Sequence, residues 1–289
     1  MRRYLAYDLV TNSEIDVIGA SPLSSDDHRQ PDICIRFATA EIRSDAKSSG
    51  PYRWHGDQLL FEAPNVARYL CVGGTEITVE PVLGADPKWL MGLLVATALP
   101  ALLWQRGGFV LHAGAVVLPK HNTTIAFAGR SGSGKSTIIS QLLQLDAHLI
   151  GDDTLNLKSS KGEISVTGLP CAYFTGEPAG SDRIAVAVAG DQTARYAPLA
   201  AIIVLERVDA LVGPPITRLT GADAVQALLT HRHRPMVPTL LGLDRQVLQF
   251  CALLCASTPI YIWKRGQGAL QISDVEFSAL DRVTKIGNE

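Results

Sequence analysis

Eight consecutive residues carry the densest chemistry in this chain. Gly129-Arg130-Ser131-Gly132-Ser133-Gly134-Lys135-Ser136 fit the phosphate-binding pattern G-x-x-x-x-G-K-S, with Thr137 directly after it. The glycines let the backbone turn tightly and aim N–H groups inward, Lys135 has the reach for terminal phosphates, and the Ser136 hydroxyl suits Mg²⁺. A nucleotide such as ATP is the ligand class this implies. Asp152 and Asp153 follow 17 and 18 residues beyond Lys135. A carboxylate at that distance can hold Mg²⁺ opposite Ser136, and a second can take a proton from an attacking hydroxyl. Neighbours on an extended segment point to opposite sides, so both acids reach one centre only if the strand ends or bends between them. Gly151 permits such a bend, and which acid is the base stays open. His112 precedes the loop on an apolar segment, where a histidine is either a hydrogen-bonded core residue or part of the reacting centre.

These residues need a strand before the loop and a helix after it. Thr124-Ile125-Ala126-Phe127-Ala128 reads as the strand, and Ile138, Ile139, Leu142, Leu143 and Leu145 recur at helical spacing. Phe109 to Leu118 reads as one preceding strand, joined to the loop strand through a turn at Pro119-Lys120-His121-Asn122. His148 to Asp153 reads as an apolar strand ending in the two acids. Leu155 and Val166 lie on the arms of a hairpin around Ser159-Ser160-Lys161-Gly162. Ala200 to Leu205 is a further buried strand, residues 222–254 are mainly helical, and Pro259 to Trp263 is a late strand. Residues 1–84 alternate short apolar stretches with polar turns, a β-rich pattern that we take as a smaller N-terminal domain ahead of a phosphate-loop domain at 85–289. Between them, Trp89 to Trp104 is entered through Asp86-Pro87 and reads as a buried helix, kinked or ended near Pro100.

The His112-Ala113-Gly114 segment, the loop with arginine at its second position, and the Asp152-Asp153 pair together resemble the HPr kinase/phosphorylase family of bacterial serine kinases and their HPr-kinase-like relatives. The resemblance covers residues 109–170 and, more weakly, the strand at 200–206 with the helical tail. It implies an α/β fold with a phosphoenolpyruvate carboxykinase-like core, a mixed sheet with helices, binding ATP and Mg²⁺. It implies catalytic roles for Lys135, Asp152, Asp153 and a nearby His112, with Ser136 and Asp152 as metal ligands and an acceptor serine on a peptide or small protein. Ser165 and Thr167 stand where the bifunctional enzymes carry Glu and Arg, ahead of Gly168, which argues against the reverse reaction. The shorter HPr-kinase-like proteins, some of which modify lasso-peptide precursors, are the better match. In that family assemblies are common, so a homo-oligomer is expected.

Bulk properties narrow the alternatives. The formal net charge of -2 and the lack of a long basic run offer nothing to nucleic acid. Five scattered cysteines without a C-x-x-C pair read as reduced thiols of a cytoplasmic protein. The apolar run at 89–104 is short for a membrane span. Cys251 and Cys255, four apart, read as packing residues on one helix face. His231-Arg232-His233-Arg234-Pro235 is the densest cationic stretch and reads first as a solvated loop, with an arginine for a transferring phosphoryl group as the alternative. An ATP-hydrolysing subunit using Glu206, or a nucleotide-sensing module, are the competing functions.

Overall fold

The computed structural model describes residues 1–120, 122–160, 162–175, 184–266 and 271–286. His121 and Lys161, within two of the expected turns, lie outside the described residues. The first sheet contains β1 (Arg2–Ala6), β2 (Leu9–Ser13), β3 (Ser21–Pro22), β4 (Ile33–Phe37), β5 (Lys47–Ser49), β6 (Tyr52–His55), β7 (Gln58–Ala63), β8 (Ala67–Val72) and β9 (Glu76–Pro81). Its order is β3-β1-β2-β4-β9-β8-β7-β6-β5. β4 runs parallel to both neighbours, and the rest is an antiparallel meander.

The chain then enters the long apolar helix. Asp86 caps it by accepting from the Lys88 N–H at 2.8 Å, and Pro87 occupies the first turn, where no N–H is missed. The helix runs as α1 (Pro87–Leu93), a π-helical segment (Leu94–Ala98) and α2 (Leu99–Gln105). Pro100 therefore does not end it: a wider π turn immediately precedes the proline and falls where its ring would otherwise crowd the preceding turn. Among the described residues this is the one helix long and apolar enough to cross a membrane, and its residues from Leu94 to Trp104 are largely buried in protein. It lies between the first sheet and the second.

The second sheet comprises β10 (Phe109–Leu111), β11 (Ala113–Leu118), β12 (Thr123–Gly129), β13 (His148–Gly151), β14 (Leu155–Ser160), β15 (Glu163–Thr167), β18 (Ala197–Val208), β19 (Ile216–Leu219) and β20 (Ile260–Gly266). β16 (Ala172–Thr175) and β17 (Ile184–Ala187) form a separate hairpin. The expected single strand at 109–118 is two strands. It breaks at His112, so that β10 pairs β14 while β11 pairs β12 and β13. β12 and β20 flank β18 in parallel, and the start of β18 also pairs β15 antiparallel.

Alternation along β12 explains its position. Ile125 and Phe127 face α3 (Lys135–Leu143) and α7 (Asp274–Ile286), while Ala126 and Ala128 face the opposite cluster. Both faces are covered, as expected of a strand that is apolar throughout. The second cluster is continuous from the first sheet through the long helix to α4 (Gly221–Thr230), α5 (Met236–Leu240) and α6 (Asp244–Ser257). The helical stretch read at 222–254 thus forms, interrupted at Pro235 and Gly242.

Candidate active site

β12 delivers Gly129 to the head of the loop, and α3 starts from the left-handed Gly134 (φ 99°). The loop, α3 and the residues after β13 enclose a cleft of about 600 Å³. His112, Ser131, Gly132, Gly134, Lys135, Ser136, Thr137, Asp152 and Asp153 line it. Among the predicted residues, Gly129 lies behind the cleft wall, Arg130 is exposed, and Ser133 is buried.

Lys135 is buried, and its ammonium donates to the carbonyls of Gly129 at 2.8 Å and Arg130 at 3.3 Å. Its Nζ also lies 3.2 Å from Nε2 of His112. The lysine thus folds over its own loop with its charge held at the place where phosphate would sit. The Ser136 hydroxyl donates to Asp152 Oδ2 at 3.0 Å, and the Phe174 N–H donates to the same oxygen at 2.9 Å. These oxygen donors, a hydroxyl and a buried carboxylate, are the chemistry that Mg²⁺ prefers, so the pair fits that ion.

The two acids do reach one centre. β13 ends at Gly151, and Asp153 adopts a left-handed backbone (φ 73°), an uncommon state for a residue with a Cβ. Asp152 turns to Ser136, and Asp153 turns to His112, whose Nδ1 lies 2.9 Å from the Asp153 carbonyl and 3.6 Å from its Oδ1. Glycine at 114 makes this possible. A Cβ there would stand 2.9 Å from Asp152 Oδ1 and would strike Ile139 of α3. The second residue after His112 is small because a carboxylate and a helix both close on it.

Gly168 plays a similar part behind the acids. A Cβ there would lie 2.6 Å from the Ile150 carbonyl, so the backbones cross nearly in contact. Its own carbonyl accepts from the Tyr7 N–H at 3.1 Å, which brings the β1–β2 turn of the first sheet against the acid-bearing segment. Tyr7 is fully buried, and burial, then the nearby Asp153 carboxylate, push its phenol well above the usual range. Thr167 donates to the Asn156 carbonyl at 3.4 Å, and Ser165 to the Lys158 carbonyl at 3.3 Å, so both serve the hairpin.

The structure departs from the sequence-based expectation at the His231–Pro235 stretch and adds Arg207, which the sequence reading had not marked. The His231–Pro235 stretch is not a solvated loop: the His231 carbonyl accepts from the His112 N–H at 2.7 Å, and the His233 N–H donates to the Val110 carbonyl at 2.8 Å. It lies along the edge of β10, with His233 buried and its ring centroid 5.3 Å from that of His112. The arginines turn elsewhere: Arg232 donates to the Leu229 carbonyl and Arg234 to the Ala96 carbonyl. Burial, then the charges of Lys135, His112 and Arg130, hold the His231 imidazole down to about 4, so it stays neutral at neutral pH. Arg207 lines the cleft together with Lys135, beside Gly134, and burial, then Arg265, lower its pKa. It follows Glu206, which is exposed and does not line the cleft. The signal for Arg207 was available, since residues at the carboxyl end of a strand parallel to the loop strand border the ligand site. Nothing in the spacing marked His233, because only the crossing of its segment over β10 brings it near.

No protein-family model and no curated protein matches the chain. Among solved structures, the Hpr(Ser) kinase/phosphatase from Coxiella burnetii aligns with 61% of this chain and 98% of its own, at 11% identity and a TM-score of 0.38. So distant a likeness leaves the function to the site itself.

Proposed function

We propose that this protein transfers the γ-phosphoryl group of Mg-bound ATP to a serine hydroxyl of a peptide or small protein. The observation that carries the reading is the division of labour between adjacent acids, Asp152 on Ser136 and Asp153 turned to His112 within one cleft. Ser136 and Asp152 would hold Mg²⁺, which supplies neutralisation of phosphate charge. Lys135 leaves the loop carbonyls for the phosphate oxygens, and Arg207 adds positive charge at the same wall. Asp153 accepts the serine proton as the serine oxygen bonds to the γ-phosphorus, and the bond from that phosphorus to the β–γ bridging oxygen breaks to release ADP. His112 holds the Asp153 segment through its Nδ1–H and meets Lys135 at Nε2, so it couples base to phosphate anchor.

The phosphoenolpyruvate carboxykinase-like core, the HPr-kinase-like kinship and a ribosomally made peptide precursor as acceptor belong to this proposal, as does a cytoplasmic setting. Unpaired cysteines support the last. The test is γ-labelled ATP with Mg²⁺ and a serine peptide library. Label should appear on serine and fall by about 10²- to 10⁴-fold in Asp153→Asn. Lys135→Ala should also lose it. ATP hydrolysis at one rate with or without every acceptor sinks the kinase in favour of a plain ATPase.

A further inference from the structure

We propose that His112, Asp153 and His233 form a binding site for a borderline transition-metal ion such as Zn²⁺, separate from the Mg²⁺ site at Ser136 and Asp152. One ring nitrogen of each histidine and a carboxylate oxygen of Asp153 all lie within 4.8 Å of one another. Two imidazoles and a carboxylate are the donors that Zn²⁺, Co²⁺ and Ni²⁺ take over Mg²⁺, which prefers oxygen alone. Three protein ligands beside a cleft leave the fourth position of a tetrahedral ion to water or a ligand.

The residues are held as metal ligands usually are. Nδ1 of His233 lies 2.6 Å from the Thr154 hydroxyl. With Nδ1–H donating to that oxygen, Nε2 is the basic nitrogen, and the ring is fixed by a partner outside the cluster. Nδ1 of His112 is 2.9 Å from the Asp153 carbonyl and 3.6 Å from Asp153 Oδ1, so histidine and acid share one rigid corner. The left-handed backbone of Asp153 aims the carboxylate at that corner. The main-chain bonds of His231 and His233 to β10 fix the third ligand from the other side.

Lys135 is the opposing charge, 3.2 Å from His112 Nε2. Phosphate binding draws that ammonium away, so metal and nucleotide occupancy are linked. If Asp153 is the base proposed above, an ion held here removes it from proton transfer, and the site inhibits the kinase. That consequence rests on the proposed function; the binding does not.

The experiment uses the full chain with any affinity tag removed, titrated with Co²⁺ in excess Mg²⁺ and followed by visible absorption. One equivalent should give the ligand-field bands of a four-coordinate Co²⁺ ion, displaced by Zn²⁺. Thr154→Val should weaken binding about 10- to 100-fold through the His233 ring. His233→Asn should abolish the bands while a fluorescent ATP analogue still binds with Mg²⁺, which shows that the variant is folded. Lys135→Gln, with the ammonium gone, should bind Co²⁺ about tenfold tighter. A wild-type protein without the bands, or a His233→Asn protein that keeps them, overturns the site. Failure of the ATP analogue to bind wild-type protein that does show the bands would sink the kinase reading and leave the metal site standing.

Discussion

Gly114 shows how one residue sets the geometry of the cleft. Its missing side chain is the space in which Asp152 approaches α3, and Ile139 of that helix presses on the same spot. Gly114→Val overfills it, so the acid and the helix must separate. The expected cost is about 1–3 kcal/mol in urea unfolding, with a loss of Mg-nucleotide affinity because Ser136 and Asp152 no longer meet. Cys71 gives a pH-dependent counterpart away from the site. Burial pushes its thiol up to about 12 from an ordinary 9.0, and burial first, then Cys255, raises Cys251 to about 11. Above pH 9 the unfolded chain releases protons that the folded thiols keep. Stability should therefore fall as pH rises from about 9 toward 12, and should be indifferent to these thiols below 9. Denaturation midpoints across that range test the sign, and iodoacetamide at pH 8 should label both cysteines only after unfolding.

At the scale of elements, α7 is fastened by its first turn. Ser273 and Glu276 form a capping box: the Ser273 N–H donates to Glu276 Oε2 at 2.8 Å, and the Glu276 N–H to Ser273 Oγ at 3.4 Å. The other carboxylate oxygen accepts from Arg265 Nε at 3.0 Å and from the Trp263 indole at 3.1 Å, on β20. The Arg265 side chain is wholly buried. Glu276→Ala should therefore cost about 3–5 kcal/mol, because it strands that guanidinium as well as uncapping the helix. Thermal unfolding would show it, and a loss below 1 kcal/mol would mean that the pair does not anchor α7. Our reading of the sequence did not pick out this Ser273-x-x-Glu276 box, and Arg265 meets Glu276 only once β20 has entered the sheet beside β18. The same limit applied to β10 and β11. Their sequence is apolar apart from His112, and the break there coincides with the crossing segment at 231–233, whose His231 carbonyl takes the His112 N–H, a contact that the periodicity of residues 109–118 cannot register.

For the whole molecule, the apolar cluster that runs from the first sheet through the long helix into the second is the dominant feature. Tyr7 carries it to the site, packed under the acid-bearing segment with its N–H on Gly168. Calorimetry of the intact chain should show one transition in which both sheets melt together. Residues 85–289 alone should be destabilised and aggregation-prone, since one face of the long helix would be open to water. Two separated transitions would show instead that the first sheet folds as its own unit. The loop, its strand and helix, the acids and their 17-residue spacing were all legible in the sequence. Each depends on contacts between near neighbours in the chain, where residue type and period dictate conformation. What only tertiary structure decided was the company these residues keep: His233 and Arg207 at the cleft, Tyr7 behind it, and Asp153 facing His112 while Asp152 faces Ser136. Those juxtapositions arise from strand order and from where distant segments cross, and side-chain burial energy fixes them only when the whole core closes.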